Sequence, residues 1–294
     1  MATYELRNDV ISIAVDSHGA EQKSLKRLSD GREYLWCADP AFWGRTAPIL
    51  FPVVGGVNNK EFRTKGQTYP MNQHGFARDM EFDFVEQKEN EIWFELKSDE
   101  ETLKKYPYAF SLAIGYILDG YTVKVVWKVE NPADEDLPFS IGGHPAFNCP
   151  INAGDKRSDY FIRMDAEHIV STDLEGGLAS PVHQTEYDLP GGYLPVTVEL
   201  FDKDALILEH DQAKKVSLCT PDRKPYLTVD MEASIFGVWS PVGKEAGFVC
   251  IEPWYGRCDK NDFTGELKDR EWGNVIAPNE VFEKSFTITI YELS

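Results

Sequence analysis

From Phe110 to Val129 the chain alternates with period two in two consecutive runs. Phe110, Leu112, Ile114, Tyr116 and Leu118 share one face, Asp119-Gly120 follows, and Val123, Val125, Trp127 and Val129 resume the alternation. Side chains of a strand point to opposite faces in turn, so such a run buries one face and wets the other. Asp-Gly between two of them predicts an antiparallel hairpin. Weaker versions recur. Ile92, Phe94 and Leu96 fall on one face of a short strand, and Val10 to Val15 alternates less cleanly. Val216 to Leu218, Pro221-Asp222 and Leu227 to Met231 read as a second hairpin, and Phe286, Ile288 and Ile290 as a last strand. One helix signal stands out: Ser98-Asp99-Glu100-Glu101 is a capping box that opens a single short turn ending near Pro107. The expectation is an all-β chain, a large antiparallel β-sandwich with few short helices. The stretch 155–192 is polar and turn-rich but keeps strand-like pieces such as Tyr160 to Met164. It reads as an elaboration within one domain spanning residues 1–294.

Composition narrows the function. With 42% hydrophobic residues and 7 tryptophans, the chain can fill a core of that size. A net charge of -19 repels nucleic acid and anionic membrane, so neither is expected as a partner. No run approaches the ~20 apolar residues of a membrane span. The first residues, Met1-Ala2-Thr3-Tyr4-Glu5, lack the basic start and apolar core of a signal peptide. The cysteines, Cys37, Cys149, Cys219, Cys250 and Cys258, are odd in number and form no C-x-x-C. Reduced thiols and a cytoplasmic location are expected. Strand edges cannot be told from core contacts at this level, so a homodimer stays open.

Five stretches interrupt the strand rhythm with residues suited to a site. In Ser140-Ile141-Gly142-Gly143-His144-Pro145-Ala146-Phe147-Asn148, glycines and a proline aim one histidine, a group able to exchange protons near neutral pH. The plainer reading is a buried histidine satisfied by backbone. In Phe248-Val249-Cys250-Ile251-Glu252-Pro253-Trp254, a carboxylate ends an apolar run. Partial burial there raises its pKa toward the range of a base. Trp254 offers a flat face to a sugar ring. The plainer reading is a strand-end glutamate capped by amides. Trp43-Gly44-Arg45 precedes an apolar run, and Asn72-Gln73-His74-Gly75-Phe76-Ala77-Arg78-Asp79 clusters donors and acceptors around a glycine. Both suit a polyhydroxylated ligand. Both also suit a surface arginine and a self-satisfied polar loop. The aromatics of Ser234-Ile235-Phe236-Gly237-Val238-Trp239 read as core in preference to a cleft wall. His18, His168, His183 and His210 read as surface or turn residues. Phosphate-binding glycine loops, H-E-x-x-H and G-x-S-x-G are missing from the sequence. A metal held by His74, His144 and Glu252 can be drawn on paper, but their spacing does not require it. No metal or cofactor is expected.

Taken together, Gly44-Arg45 with Pro48 and Phe51-Pro52, His74-Gly75-Phe76-Ala77-Arg78, Gly143-His144-Pro145-Ala146-Phe147-Asn148 and Ile251-Glu252-Pro253-Trp254, in that order, resemble the aldose 1-epimerase (galactose mutarotase-like) family, in its LacX-like branch. The resemblance covers essentially the whole chain. It implies a sandwich of large antiparallel sheets (the galactose mutarotase-like supersandwich) with a sugar cleft on one face. It also implies interconversion of α and β anomers of free aldoses without a cofactor. By resemblance His144 is the general acid and Glu252 the general base; mutarotation itself needs only one base and one acid, expected on opposite sides of the sugar ring. By the same resemblance His74 orients the substrate, Arg45 binds hydroxyls, and Asp204 is the candidate for a substrate-binding aspartate. Asn148 and Trp254 complete the expected substrate contacts. Arg78 belongs to a stretch shared with hexose-6-phosphate 1-epimerases, where the arginine can meet phosphate. That activity is one rival. A binding module without turnover is another, although it has no need of a matched acid and base. A glycosidase would want two facing carboxylates, and only Glu252 stands out.

Overall fold

The computed structural model describes residues 1–292, so the last two residues of the expected 1–294 domain lie outside the described residues. The Phe110–Val129 pattern becomes the paired strands Ser111–Asp119 and Thr122–Glu130. Asp119 pairs with Thr122, so Gly120 and Tyr121 form the loop, one residue later than Asp-Gly suggests. Glycine takes the first loop position with φ 53°, a left-handed conformation that favours it. The second predicted hairpin is Lys215–Cys219 with Pro225–Met231. The helix is Glu100–Lys105, and its cap is Asp99, not Ser98. Asp99 accepts from the Thr102 amide while Thr102 Oγ1 accepts from the Asp99 amide. The Ser98 hydroxyl instead receives the Phe110 amide.

Two antiparallel sheets dominate. One has nine strands, in the order Tyr193–Pro195, Phe161–Met164, Lys215–Cys219, Pro225–Met231, Val281–Ile290, Thr122–Glu130, Ser111–Asp119, Glu91–Lys97 and Asp83–Gln87. The other runs from Leu178–Asp188 through His168–Glu175, Leu206–Leu208, Ile235–Trp239 and Phe248–Tyr255 to Ile141–Gly143 and Ile49–Leu50. Ala146–Asn148 also pairs with Phe248–Tyr255. One core fills the space between them, with Ile114, Trp127 and Ile288 from the first sheet meeting Phe236, Val238, Val249 and Ile251 from the second. Each such side chain, once buried, contributes about 1.5–3 kcal/mol of hydrophobic stabilisation. The all-β sandwich expectation therefore holds. No helix among the described residues is long and apolar enough to cross a membrane.

The second sheet is unusual in burying its other face too. Along Phe248–Tyr255, Val249 and Ile251 enter the main core, while Phe248, Cys250 and Trp254 join two smaller clusters on the opposite face. Alternation places Glu252 on that opposite face, between the two clusters. The same alternation on Ile235–Trp239 sends Phe236 and Val238 inward and Ile235, Gly237 and Trp239 outward.

Candidate active site

A cavity of about 400 Å³ opens on this outer face, lined by Trp43, Arg45, His74, Arg78, His144, Asp204, Trp239, Glu252 and Trp254 among others. Its centre is set by strand register. Gly142 pairs with Trp254 and Ala146 with Cys250, and the same register carried across His144-Pro145 puts residue 144 opposite 252. Directly opposed residues in neighbouring strands have Cβ atoms about 4.5–5.5 Å apart, close enough for side chains to meet. His144 Nε2 accordingly lies 3.2 Å from Glu252 Oε2. Neither Glu252 Oε2 nor His144 Nδ1, both buried, makes a well-formed hydrogen bond.

Burial controls the charge of this pair. It pushes the Glu252 carboxyl well above the usual carboxylate range, and the nearby Asp204 charge adds to the effect. Burial, followed by the Arg78 charge, drives the His144 imidazole down to about 3; its own backbone opposes this, and the Arg45 charge adds to it. Both directions favour uncharged forms, so the pair holds one proton, on the carboxyl, when the cleft is empty.

Room for the indole of Trp254 is made by missing side chains. A Cβ at Gly142 would stand 2.6 Å from its Cδ1, and one at Gly237 would stand 2.6 Å from its far ring edge. These two glycines sit on the strands either side of Trp254 and let it lie along the sheet. On the other wall, His74 and Gly75 both adopt left-handed backbone, with φ of 67° and 71°. A Cβ at Gly75 would lie 2.2 Å from the Phe51 carbonyl oxygen, so only glycine fits there. The bend brings His74 against Gly55. The Gly55 amide donates to His74 Nδ1 at 3.1 Å, and the His74 amide donates to the Gly55 carbonyl at 2.9 Å. An Nδ1 that accepts leaves the proton of the neutral ring on Nε2. Burial, with the His144 and Arg78 charges, keeps His74 neutral by pushing its pKa well below the ordinary value. His74 is thus a hydrogen-bond donor toward the cleft.

Arg45 and Arg78 share one carboxylate. Arg45 donates to Asp79 at 2.6 Å, whereas Arg78 Nε stands 3.9 Å from it and has no hydrogen-bond partner. Arg78 Nη2 donates to the Gln73 carbonyl. Burial and the Arg45 charge lower its pKa to about 10. Asp204, in left-handed backbone with φ 74°, lines the same cavity.

The architecture and this pocket match known proteins over nearly the full chain. Residues 2–288 fit the family model described as aldose 1-epimerase. The chain belongs to the aldose 1-epimerase family. Its relatives include the plasmid-borne and chromosomal LacX proteins of Lactococcus lactis subsp. lactis, each 32% identical over 98% of this chain and 99% of theirs. A galactose mutarotase related enzyme from Lactobacillus acidophilus superposes with a TM-score of 0.93 at 34% identity, covering 99% of this chain and 98% of that one. A galactose mutarotase-like protein from Lactobacillus casei gives 0.89 at 30%, covering 99% and 100%.

For this family member, the structure brings His144, Glu252, Arg45, His74, Arg78, Asp204 and Trp254 to one cavity, as the sequence reading anticipates. Three corrections follow. Asn148 does not line the cavity. Its amide donates to the Glu33 and Leu35 carbonyls and ties that loop to the sheet, because it stands four residues further along the chain than His144, past the end of the cleft. His144 and Glu252 stand side by side, not on opposite sides of a ring; this suits O1 and the ring oxygen of a sugar, which are bonded to the same carbon. Trp239 is a cleft wall, half-buried beside His144, and not core. Trp43, Leu174, Gly177 and Cys258 also line the cavity without having been given a role from sequence. Leu174 and Gly177 come from the hairpin of His168–Glu175 with Leu178–Asp188, whose only sequence signal is its Gly176-Gly177 turn. The remaining histidines, His18, His168, His183 and His210, lie at the surface as expected.

The set with ligand-type atoms close together among the described residues is His144, Cys250 and Glu252, within 4.8 Å of one another. His74, in the paper trio, is replaced by Cys250. Burial raises the Cys250 thiol well above its usual range, which keeps it protonated. A protonated thiol and two nearby arginines suit proton transfer better than a bound cation.

Proposed function

We propose that the protein interconverts the α and β anomers of a free aldohexose by proton transfer. The observation that carries this reading is the buried His144–Glu252 contact, 3.2 Å long, at the base of a cleft with a donor histidine and two arginines on its wall. Mutarotation removes a proton from the anomeric hydroxyl and gives one to the ring oxygen. When sugar enters, the pair's one proton passes from the Glu252 carboxyl to His144 across their contact; Glu252 as carboxylate then takes the O1 proton, and His144 as imidazolium protonates the ring oxygen. The bond from C1 to the ring oxygen breaks as C1–O1 becomes a carbonyl. C1–C2 then rotates, and the hydroxyl adds to the other carbonyl face while both protons return. The pair carries one proton before and after opening: on His144 first, on Glu252 afterwards. Only its position changes, so no further acid or base is required. His74 Nε2–H, Arg45 and Asp204 hold hydroxyls, and the Trp254 indole supports the apolar face of the ring. Reduced cysteines, all five of them unpaired, fit work in the cytoplasm.

Polarimetry tests this reading. Fresh α-D-galactose or α-D-glucose should reach anomeric equilibrium faster with protein present. Failure on every free aldose tried would sink it. A second reading, mutarotation of a hexose 6-phosphate, draws on Arg78, a half-buried guanidinium that shares the Asp79 carboxylate with Arg45. Acceleration on glucose 6-phosphate alone would select that reading.

A further inference from the structure

We propose that Trp43 is a positioning residue for His144: it holds the imidazole by stacking where a hydrogen bond to Nδ1 would ordinarily do so, and it favours the imidazolium as that forms. The role rests on the acid–base reading above. Catalytic histidines usually have one ring nitrogen oriented by a carboxylate or carbonyl. Here Nδ1 is buried without such a partner. Rings surround the imidazole instead. The Trp43 indole is stacked on it, with centroids 4.7 Å apart and planes 27° from parallel. Trp239 and His74 stand nearly perpendicular to it at 5.6 and 5.5 Å. Of the three, Trp43 alone stacks face to face with it.

Trp43 is itself anchored, although it stands in a loop with no regular structure. Its carbonyl accepts from Trp36 Nε1 at 2.9 Å, and its amide donates to the Asp39 carbonyl at 2.9 Å. The indole also lies over Phe248, at 5.8 Å and 26°. A ring fixed in this way can fix another. The electrostatics give the stack a second job. The titratable and charged groups facing His144 are Glu252 and Cys250 from its partner strand, His74 and Arg78 from the opposite wall, and Arg45 from Trp43's own loop. Glu252 is the one acid among them, and it meets the ring at Nε2. The arginines oppose a cation throughout. The negative π face of Trp43 supplies stabilisation over the ring face, which Glu252 does not cover.

The test compares Trp43→Leu, which keeps bulk without a π face, with Trp43→Phe, which keeps both in part. Trp43→Leu should lower kcat about tenfold, the scale of a desolvated cation–π contact, and leave KM within about twofold. The acid limb of its kcat profile should move to lower pH, because the imidazolium is harder to form. Trp43→Phe should recover most of both. A second readout needs no turnover. In ¹⁵N-histidine spectra, the His144 signals, assigned with His144→Asn, should titrate at lower pH in Trp43→Leu than in wild type or Trp43→Phe. A raised KM with kcat and acid limb unmoved would make Trp43 a platform for sugar and overturn the proposal. So would equal losses in both variants, or an unmoved His144 titration. If the wild type accelerates no sugar, the epimerase reading fails, and the titration still decides whether Trp43 governs His144.

Discussion

His144 and Glu252 lie 3.2 Å apart, His144 standing between two short strands that keep one register against Phe248–Tyr255, from Gly142–Trp254 to Ala146–Cys250. Gly237 opposes Glu252 from the other side and adds no side chain to crowd it. The base is therefore held within a strand, and the acid by its flanking strands and by its amide, which donates to the Pro48 carbonyl at 3.1 Å. Substituting either should remove chemistry and spare the fold. Glu252→Gln and His144→Asn are each expected to lower kcat by about 10²–10⁴. Polarimetry with matched circular dichroism checks this, and a variant with near-normal kcat would lose its assigned role.

The pH profile should be a broad bell. Activity needs one proton on the pair. It falls at the acid end as a second proton is added, and burial with the Arg78 charge puts the His144 step at about 3. It falls at the alkaline end as the last proton leaves, above the ordinary carboxylate range because Glu252 is buried beside Asp204. A profile whose acid limb lies near 6.5, the ordinary imidazole value, would contradict this.

The same burial predicts a stability effect. A carboxyl with a raised folded-state pKa stabilises the fold below its unfolded value of about 4.5, and that contribution is lost as pH rises through the folded value. Glu252→Gln, which cannot ionise, should therefore raise Tm relative to wild type more at pH 8 than at pH 4. Scanning calorimetry at the two pH values measures the difference, and an equal or reversed difference would argue that Glu252 is charged in the folded state.

Gly237→Ala places a methyl where the Trp254 indole lies, 2.6 Å from its ring. Overpacking of this kind costs about 1–3 kcal/mol, and the indole should shift into the cleft. The expected signature is a raised KM together with altered tryptophan fluorescence. Normal KM with a normal spectrum would mean that Trp254 is not seated by this glycine.

Behind the cavity, Arg270 Nε donates to Asp259 Oδ1 at 2.6 Å, with both side chains almost wholly buried. Arg270 also donates to the Arg257 carbonyl. This ties down the chain around Cys258, which packs against Gly55. Arg270→Met leaves a buried carboxylate without its cation and should destabilise by about 3–5 kcal/mol. Urea unfolding reads the change, and a loss below about 1 kcal/mol would mean that Asp259 finds another partner.

Much of this was legible in the chain. Period two named the central strands, because burying one face of a sheet demands it. The motif residues were legible for a different reason: Gly75 must be glycine where the backbone touches Phe51, and His74 must follow the same bend. Asn148 was misread because it stands in the same stretch as His144. Alternation does put the two on one face, but a strand rises about 3.3 Å per residue, so Asn148 lies past the cleft. Trp43 and Trp239 were not given roles because an aromatic over a sheet looks the same in sequence whether it fills a core or lines a cleft.

The sequence by itself determined that Glu252 points away from Val249 and Ile251. Alternation along a strand requires that, whatever surrounds it. It also determined the backbone bends that only glycine allows. Tertiary structure alone decided what Glu252 meets. Register between distant strands put His144 opposite it, and loops folding over the outer face removed water from both. Removal of water turned an ordinary glutamate and histidine into a pair that holds a single proton, because a charge buried beside Arg78 and Asp204 costs more than a neutral group.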